Sequence, residues 1–220
     1  MPARTTSPPR RSAAASVLVA AMLAAGCGSA APDELPPPAG PRASPPPSVA
    51  PAGRVEAGAT IPRALLPPEP AVLGDRVAVV RPREREVELQ EAATGRPLSR
   101  ASAGVGPARA AAHDRWLWVT DTAGEALLVF RTRPELELVR RVYLPGGPYA
   151  IAYDRERVRL WVTLTATNEV VELPAHGRPR ELRRFPTVRQ PDAVAVDAAG
   201  GPVLIGGADA LQRLVPPPPE

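Results

Sequence analysis

The residues of this chain whose type and spacing suit chemistry are polar side chains that follow a repeated tetrapeptide. "LWVT" occurs at 117–120 and again at 160–163, followed by Asp121 and Glu125 in one copy and by Asn168 and Glu169 in the other. Asp209 stands at the comparable place after "VLIGG" at 203–207. Carboxylates and an amide that recur on one loop of a repeated unit can ring a common opening, where they suit a cation or a polar ligand. Plain solvation of an exposed loop is the rival explanation. Asp114, Asp154 and Asp197 also recur, each before a turn, where a carboxylate commonly bonds the backbone N–H groups of a hairpin. His113 and His176 lie far apart and neither opens a metal-ligand spacing, so no metal site is expected. The chain has no GxSxG, no glycine-rich phosphate loop and no HExxH, so no catalytic residue and no cofactor is assigned.

Such loops need strands to carry them. Sliding the chain on itself by 43 positions brings Thr120, Thr163 and Gly206 into one column and Trp118 onto Trp161. Upstream, "GPARAAAHD", "GPYAIAYD" and "QPDAVAVD" align; downstream, "EALLVF" aligns with "EVVELP". A weaker copy precedes them in "RVAVV" and "VELQEAATGRPL", which makes four copies within residues 55–215, the last one short. Each copy is a set of short runs rich in Val, Leu, Ala, Trp and Tyr bounded by turn residues, and so predicts four antiparallel strands.

In "LWVT" the Leu and Val side chains point to one face and Trp and Thr to the other, so large apolar groups lie on both sides of the sheet. A blade of this kind needs a neighbour on each face, and radial packing of the four units supplies it. The expected fold is all-β, a small β-propeller of about four four-stranded antiparallel blades, with "LWVT" as an inner strand and Trp118 and Trp161 packed between blades. "VEAGATIP" at 55–62 is the candidate for the outer strand that the short last copy lacks. If it does not close the ring, a homo-oligomer of two chains would complete one.

The units resemble the YVTN-type β-propeller repeat in "PYAIAYDRERVRLWVT", "NEVVEL", "GRPRELRRF" and "EAATGRPL". The resemblance implies a fold and leaves the activity open, because propellers host unrelated functions. Propeller enzymes of the lactonase or quinoprotein type gather several carboxylates or histidines around a metal or cofactor at the central opening. Three or more such groups converging in space would mark that alternative. A truncated, degenerate paralogue without activity is the third.

Residues 1–26 have a basic start, an apolar run of about 13 residues and then small residues before Cys27, which is the layout of a secretory signal. As a helix that run would span roughly 20 Å, short of the roughly 20 residues that cross a bilayer. Here "LAAGC" resembles the lipobox of bacterial lipoproteins, in which the cysteine is lipidated and becomes the mature N-terminus. Leu23 stands four residues before the cysteine, one further than that pattern favours. Cys27 is the only cysteine, so no intramolecular disulfide can form, and lipid attachment gives the thiol a use. Two or three acyl chains hold a protein on a membrane where one does not.

Residues 27–54, after the signal, are dominated by Pro, Ala and Ser and read as a disordered, extended spacer reaching roughly 80 Å at about 3.1 Å per residue. The propeller domain is placed at 55–215 and a Pro-rich tail at 216–220. All 27 basic residues are Arg, which matches the coding bias of a GC-rich genome, and Arg4, Arg10 and Arg11 belong to the leader. Without it 24 Arg face 23 Asp and Glu, a nearly neutral chain, so nucleic acid is not an expected partner. The expected protein is a lipid-anchored one on the outer face of the cell membrane. It presents a non-catalytic propeller to an envelope protein or a polar small ligand.

Overall fold

The structure, a computed structural model, describes residues 40–197 and 200–218; the leader and Cys27 lie outside them. Among the described residues, sixteen strands and a 3₁₀ turn at Arg63–Leu65 form the regular elements. The first strand, β1 (Arg54–Ala57), is set apart in sequence from the blade it joins. Blade I is β2 (Ala71–Leu73), β3 (Arg76–Arg81), β4 (Glu86–Glu91) and β5 (Pro97–Ser102). Blade II is β6 (Pro107–His113), β7 (Trp116–Asp121), β8 (Ala126–Arg131) and β9 (Glu137–Tyr143). Blade III is β10 (Pro148–Asp154), β11 (Arg159–Leu164), β12 (Glu169–Pro174) and β13 (Arg183–Pro186). Blade IV holds β14 (Ala193–Val196), β15 (Val203–Gly206) and β16 (Ala210–Leu214), and β1 completes it.

Every sheet is antiparallel, in the order first to fourth strand for blades I to III. In blade IV, β1 pairs with β16, Arg54 opposite Arg213 and Ala57 opposite Ala210. The residues from 54 onward thus supply the missing outer strand, as the short fourth copy requires. The fold is an all-β, four-bladed small β-propeller.

The axis is built by β2, β6, β10 and β14, since β6 packs on β2 and β10, and β10 on β14. "LWVT" therefore forms the second strand of its blade, β7 or β11, and the position beside the axis goes to the alanine-rich "ARAAA" and "AIAY" runs. Small side chains fit the crowded axis, and the Trp residues need the wider space further out. Leu117 and Val119 face blade I, while Trp118 and Leu127 face blade III. One blade further on, Leu160 and Val162 face blade II, and Trp161 and Val170 face blade IV. Both Trp side chains are fully buried.

Two faces depart from the expectation that every blade is apolar on both sides. The positions taken in blade II by Leu128 and Phe130 are filled in blade I by Glu88 and Gln90. Glu88 is 1% exposed and accepts hydrogen bonds from Arg81 Nη1 (2.9 Å), Gln90 Nε2 (2.7 Å) and Arg100 Nε. The bond from Gln90, then the Arg100 guanidinium, hold its carboxyl below the usual carboxylate range. A charge network replaces an apolar interface there, because a buried carboxylate is tolerated only when fully paired. The far face of blade IV is covered by Ala59, Ile61 and Leu65, from the segment that returns from β1 to β2.

Candidate functional site

The strand ends that start β6, β10 and β14 share one end of the propeller with the β7–β8, β11–β12 and β15–β16 loops, and the expected ligand residues all stand there. The recurring threonines stitch this end together. Thr120 Oγ1 donates to the Tyr149 carbonyl (2.6 Å) and Thr122 Oγ1 to the Pro148 carbonyl (2.6 Å), both across the blade boundary, and Thr163 Oγ1 accepts from the Ala150 N–H (3.0 Å).

Each expected ligand residue has a partner of its own. Asp121 is fully buried: Oδ1 accepts from the N–H groups of Val105, Gly106 and Gly124 at 3.1, 2.7 and 3.0 Å, and Oδ2 from Arg141 at 3.1 Å. A Cβ on Gly104 or Gly124 would come within 2.0 Å of Asp121 Oδ2, so both glycines are there for close approach. Glu125 pairs with Arg42 at 2.7 Å. Asn168 Nδ2 donates to the Pro45 carbonyl (2.8 Å) and its Oδ1 accepts from the Gln190 N–H (2.7 Å). Glu169 pairs with Arg184 (2.6 Å) and Asp209 with Arg189 (2.9 Å). Among the described residues no three His, Cys, Asp or Glu side chains come together closely enough to hold a metal ion.

The recurring aspartates are explained once register is known. Asp154 is 1% exposed; its Oδ1 accepts from the Arg157 N–H (3.0 Å), its Oδ2 from Arg157 Nη1 (2.7 Å) and Trp161 Nε1 (3.3 Å). That is the turn chemistry expected of it. The matching place in blade II belongs to His113 and not to Asp114, because Ala152 pairs with Trp161 as Ala111 pairs with Trp118. Asp114 sits in the turn at φ 54° and pairs loosely with Arg115 (3.7 Å). His113 stacks on Tyr153 with ring centroids 4.4 Å apart; burial, then the Arg155 charge, hold its imidazole below the ordinary histidine value. His176 is exposed in the loop after β12.

A cavity of about 420 Å³ opens at the axis. Its wall is apolar, with Ala110, Ala150, Ile151 and Leu66, and its charged groups are Arg63, Glu69, Arg109 and Asp192. Arg109 Nε pairs with Glu69 at 2.8 Å and its guanidinium lies 5.0 Å from the Tyr149 ring centroid. Burial raises the Asp192 carboxyl above the ordinary range, against its own backbone hydrogen bond and the Arg109 charge. Neither the Asp192 carboxylate nor the Arg63 guanidinium has a hydrogen-bond or ion-pair partner on another residue among the described residues. No sequence pattern points to these four, because they come from three separate segments, the β1–β2 connection, β6 and the residues before β14, that meet only at the axis.

The Pro-rich segment also reaches this end. Arg42 N donates to Thr165 Oγ1 (3.0 Å), and Ser44 Oγ accepts from the Gln190 N–H (3.1 Å). From Arg42 onward the segment is therefore laid across the loops, where the composition suggested a free spacer up to residue 54. One signal was available: Arg42 is the only charged residue between Glu34 and Arg54.

Comparison with known proteins agrees with this fold. No protein-family profile and no curated protein matches the chain. Among solved structures, it is similar to a protein from Lactobacillus plantarum (TM-score 0.54, 14% identity, 62% of this chain and 47% of that one). It is also similar to the Cps50 (Swd1) β-propeller domain of Myceliophteria thermophila (0.51, 10%, 63% and 50%). A third likeness is to the catalytically inactive H270A virginiamycin B lyase of Staphylococcus aureus, solved with quinupristin (0.50, 16%, 63% and 47%). The chain spans about half the length of each. At these identities the likeness establishes the propeller fold alone.

Proposed function

We propose that this is a lipid-anchored envelope protein, attached through Cys27 to the outer face of the cell membrane, whose YVTN-type propeller binds a partner without catalysing a reaction. The axis cavity carries the reading. It combines an apolar wall with a carboxylate and a guanidinium that have no ion-pair partner among the described residues, a combination that suits a polar small ligand, or an exposed segment of an envelope protein, with charges of both signs. Asp121, Glu125, Asn168, Glu169 and Asp209 at this end each have a partner within the chain, which favours the cavity as the place for a ligand from outside. The lactonase or quinoprotein alternative needs several carboxylates or histidines in one place, and the carboxylates here are dispersed among separate arginine partners.

The anchor rests on "LAAGC" and the single thiol. Replacing Cys27 with Ser should move the full chain from the membrane fraction to the soluble one, and unchanged partitioning would refute the anchor. For the cavity, pull-downs from envelope extracts with the full chain should recover a partner that the Asp192→Ala, Arg63→Ala double variant loses. Recovery that is indifferent to both residues would remove the cavity from the proposal.

A further inference from the structure

Three top-end residues with left-handed backbone, Glu125 (φ 50°), Asn168 (φ 57°) and Gln190 (φ 52°), come from blades II and III and the connection into blade IV. All three bond the same short stretch of chain. Glu125 takes the Arg42 guanidinium, Asn168 donates to the Pro45 carbonyl, and the Gln190 N–H donates to Ser44 Oγ. Thr165 adds a fourth contact, accepting from the Arg42 N–H and donating to the Gly147 carbonyl (3.0 Å). The Arg42 stem lies over Gly147, where an added Cβ would stand 3.0 Å from Arg42 Cδ, so the glycine clears the path of the arginine. The groups that meet the segment are a carboxylate for a guanidinium, a hydroxyl for a backbone N–H and an amide for a backbone carbonyl. That pattern reads an extended main chain with one basic side chain, and proline before and after keeps such a chain extended at low entropic cost.

We propose that the top-end loops of blades II to IV form a recognition groove for an extended, proline-rich peptide carrying an arginine, and that residues 42–45 of this chain fill it in cis. The groove is separate from the axis cavity, and the inference stands whether or not the cavity binds a ligand. Its occupant is held at the high effective concentration of a linked segment, so a peptide of the same sequence cannot compete until the internal copy is weakened. A consequence follows for the propeller: its contact with the Pro-rich segment begins at Arg42, at the top end.

The test uses the full chain and a labelled peptide with the sequence of residues 40–48. Arg42→Glu repels Glu125 and should release the internal copy; this variant should bind the peptide at least about 10-fold more tightly than the unaltered chain, in a salt-sensitive way. Adding Glu125→Ala should reduce that binding by about 10-fold or more. A second route avoids charge: Asn168→Gly keeps the backbone conformation and removes the amide, and should speed protease cleavage within residues 43–53 while leaving thermal unfolding of the blades cooperative. Equal peptide binding by the Arg42→Glu and unaltered chains would overturn the proposal. So would peptide binding that ignores Glu125→Ala, or cleavage that Asn168→Gly leaves unchanged.

Discussion

Trp118 of blade II and Trp161 of blade III occupy the same place in the repeat, are equally buried, and yet differ in how their indole N–H is treated. Trp161 Nε1 reaches Asp154. Trp118 Nε1 has no hydrogen-bond partner among the described residues, because the place of Asp154 is taken by His113. Blade II receives aromatic contact in its stead: Tyr153 stacks on the Trp118 ring (5.5 Å) and on His113 (4.4 Å). Trp161 has a looser aromatic neighbour in Phe185, at 6.1 Å and tilted by 39°. The repeat thus specifies burial at both sites and hydrogen bonding at only one. Burial depends on ring size and strand register, which the two copies share. Pairing depends on a single side chain at the end of the preceding strand, where the copies have diverged.

The largest effect expected from disturbing this pair is at Trp161 itself. Trp161→Ala removes the ring wedged between blades III and IV and should cost about 3–5 kcal/mol in urea unfolding. A loss under about 1 kcal/mol would mean that the blades do not depend on that contact. Next comes Asp154→Ala, which strands the Trp161 N–H and takes the carboxylate partner from the Arg157 guanidinium. It should cost about 2–3 kcal/mol, and in blade II His113→Ala should cost less because it frees no buried donor from a partner.

Trp→Phe substitutions sharpen the comparison further. Trp161→Phe deprives Asp154 of a donor, whereas Trp118→Phe removes a donor that has no acceptor, so Trp161→Phe should be the more destabilising by about 1 kcal/mol. Equal losses would show that Trp118 Nε1 finds a partner in solution, such as a water. The smallest effect is a pH dependence confined to blade II. The His113 value is lowered on folding, so the unfolded chain takes up the proton first. Stability should be full above about pH 6.5 and fall as pH drops through that value. His113→Phe keeps the stack on Tyr153 and should abolish that part of the slope.

The propeller was legible because its signals are local and repeated. The 43-residue step, the apolar alternation and the turn residues together name four blades, and the paired strand β1, at Arg54–Ala57, overlaps the stretch 55–62 over three of its four residues. The polar site was much less legible. Asp121 and Asn168 stand out in the sequence by type and place in the repeat, but their partners do not: Asp121 accepts from three N–H groups, and Asn168 bridges Pro45 and Gln190. Asp114 was aligned one position away from the turn site that His113 holds, since a letter match cannot see which residue stands opposite Trp116. Glu88, whose network gives blade I its polar face, lies in a run of alternating Arg and Glu, residues 81–88, a pattern that by itself reads as solvated surface, yet the side chain is buried.

What the sequence by itself determined is the architecture: blade number, strand sequence, and the burial of Trp118 and Trp161. Side-chain alternation along a strand is set by backbone geometry and so can be read one segment at a time. Only the tertiary structure decided which polar groups meet. Arg42 and Glu125 are 83 positions apart, and Arg157 and the Gly201 carbonyl it bonds are 44 apart. A hydrogen bond needs its two atoms within about 3 Å, a condition that no local pattern encodes and that the closing of the blades around one axis satisfies.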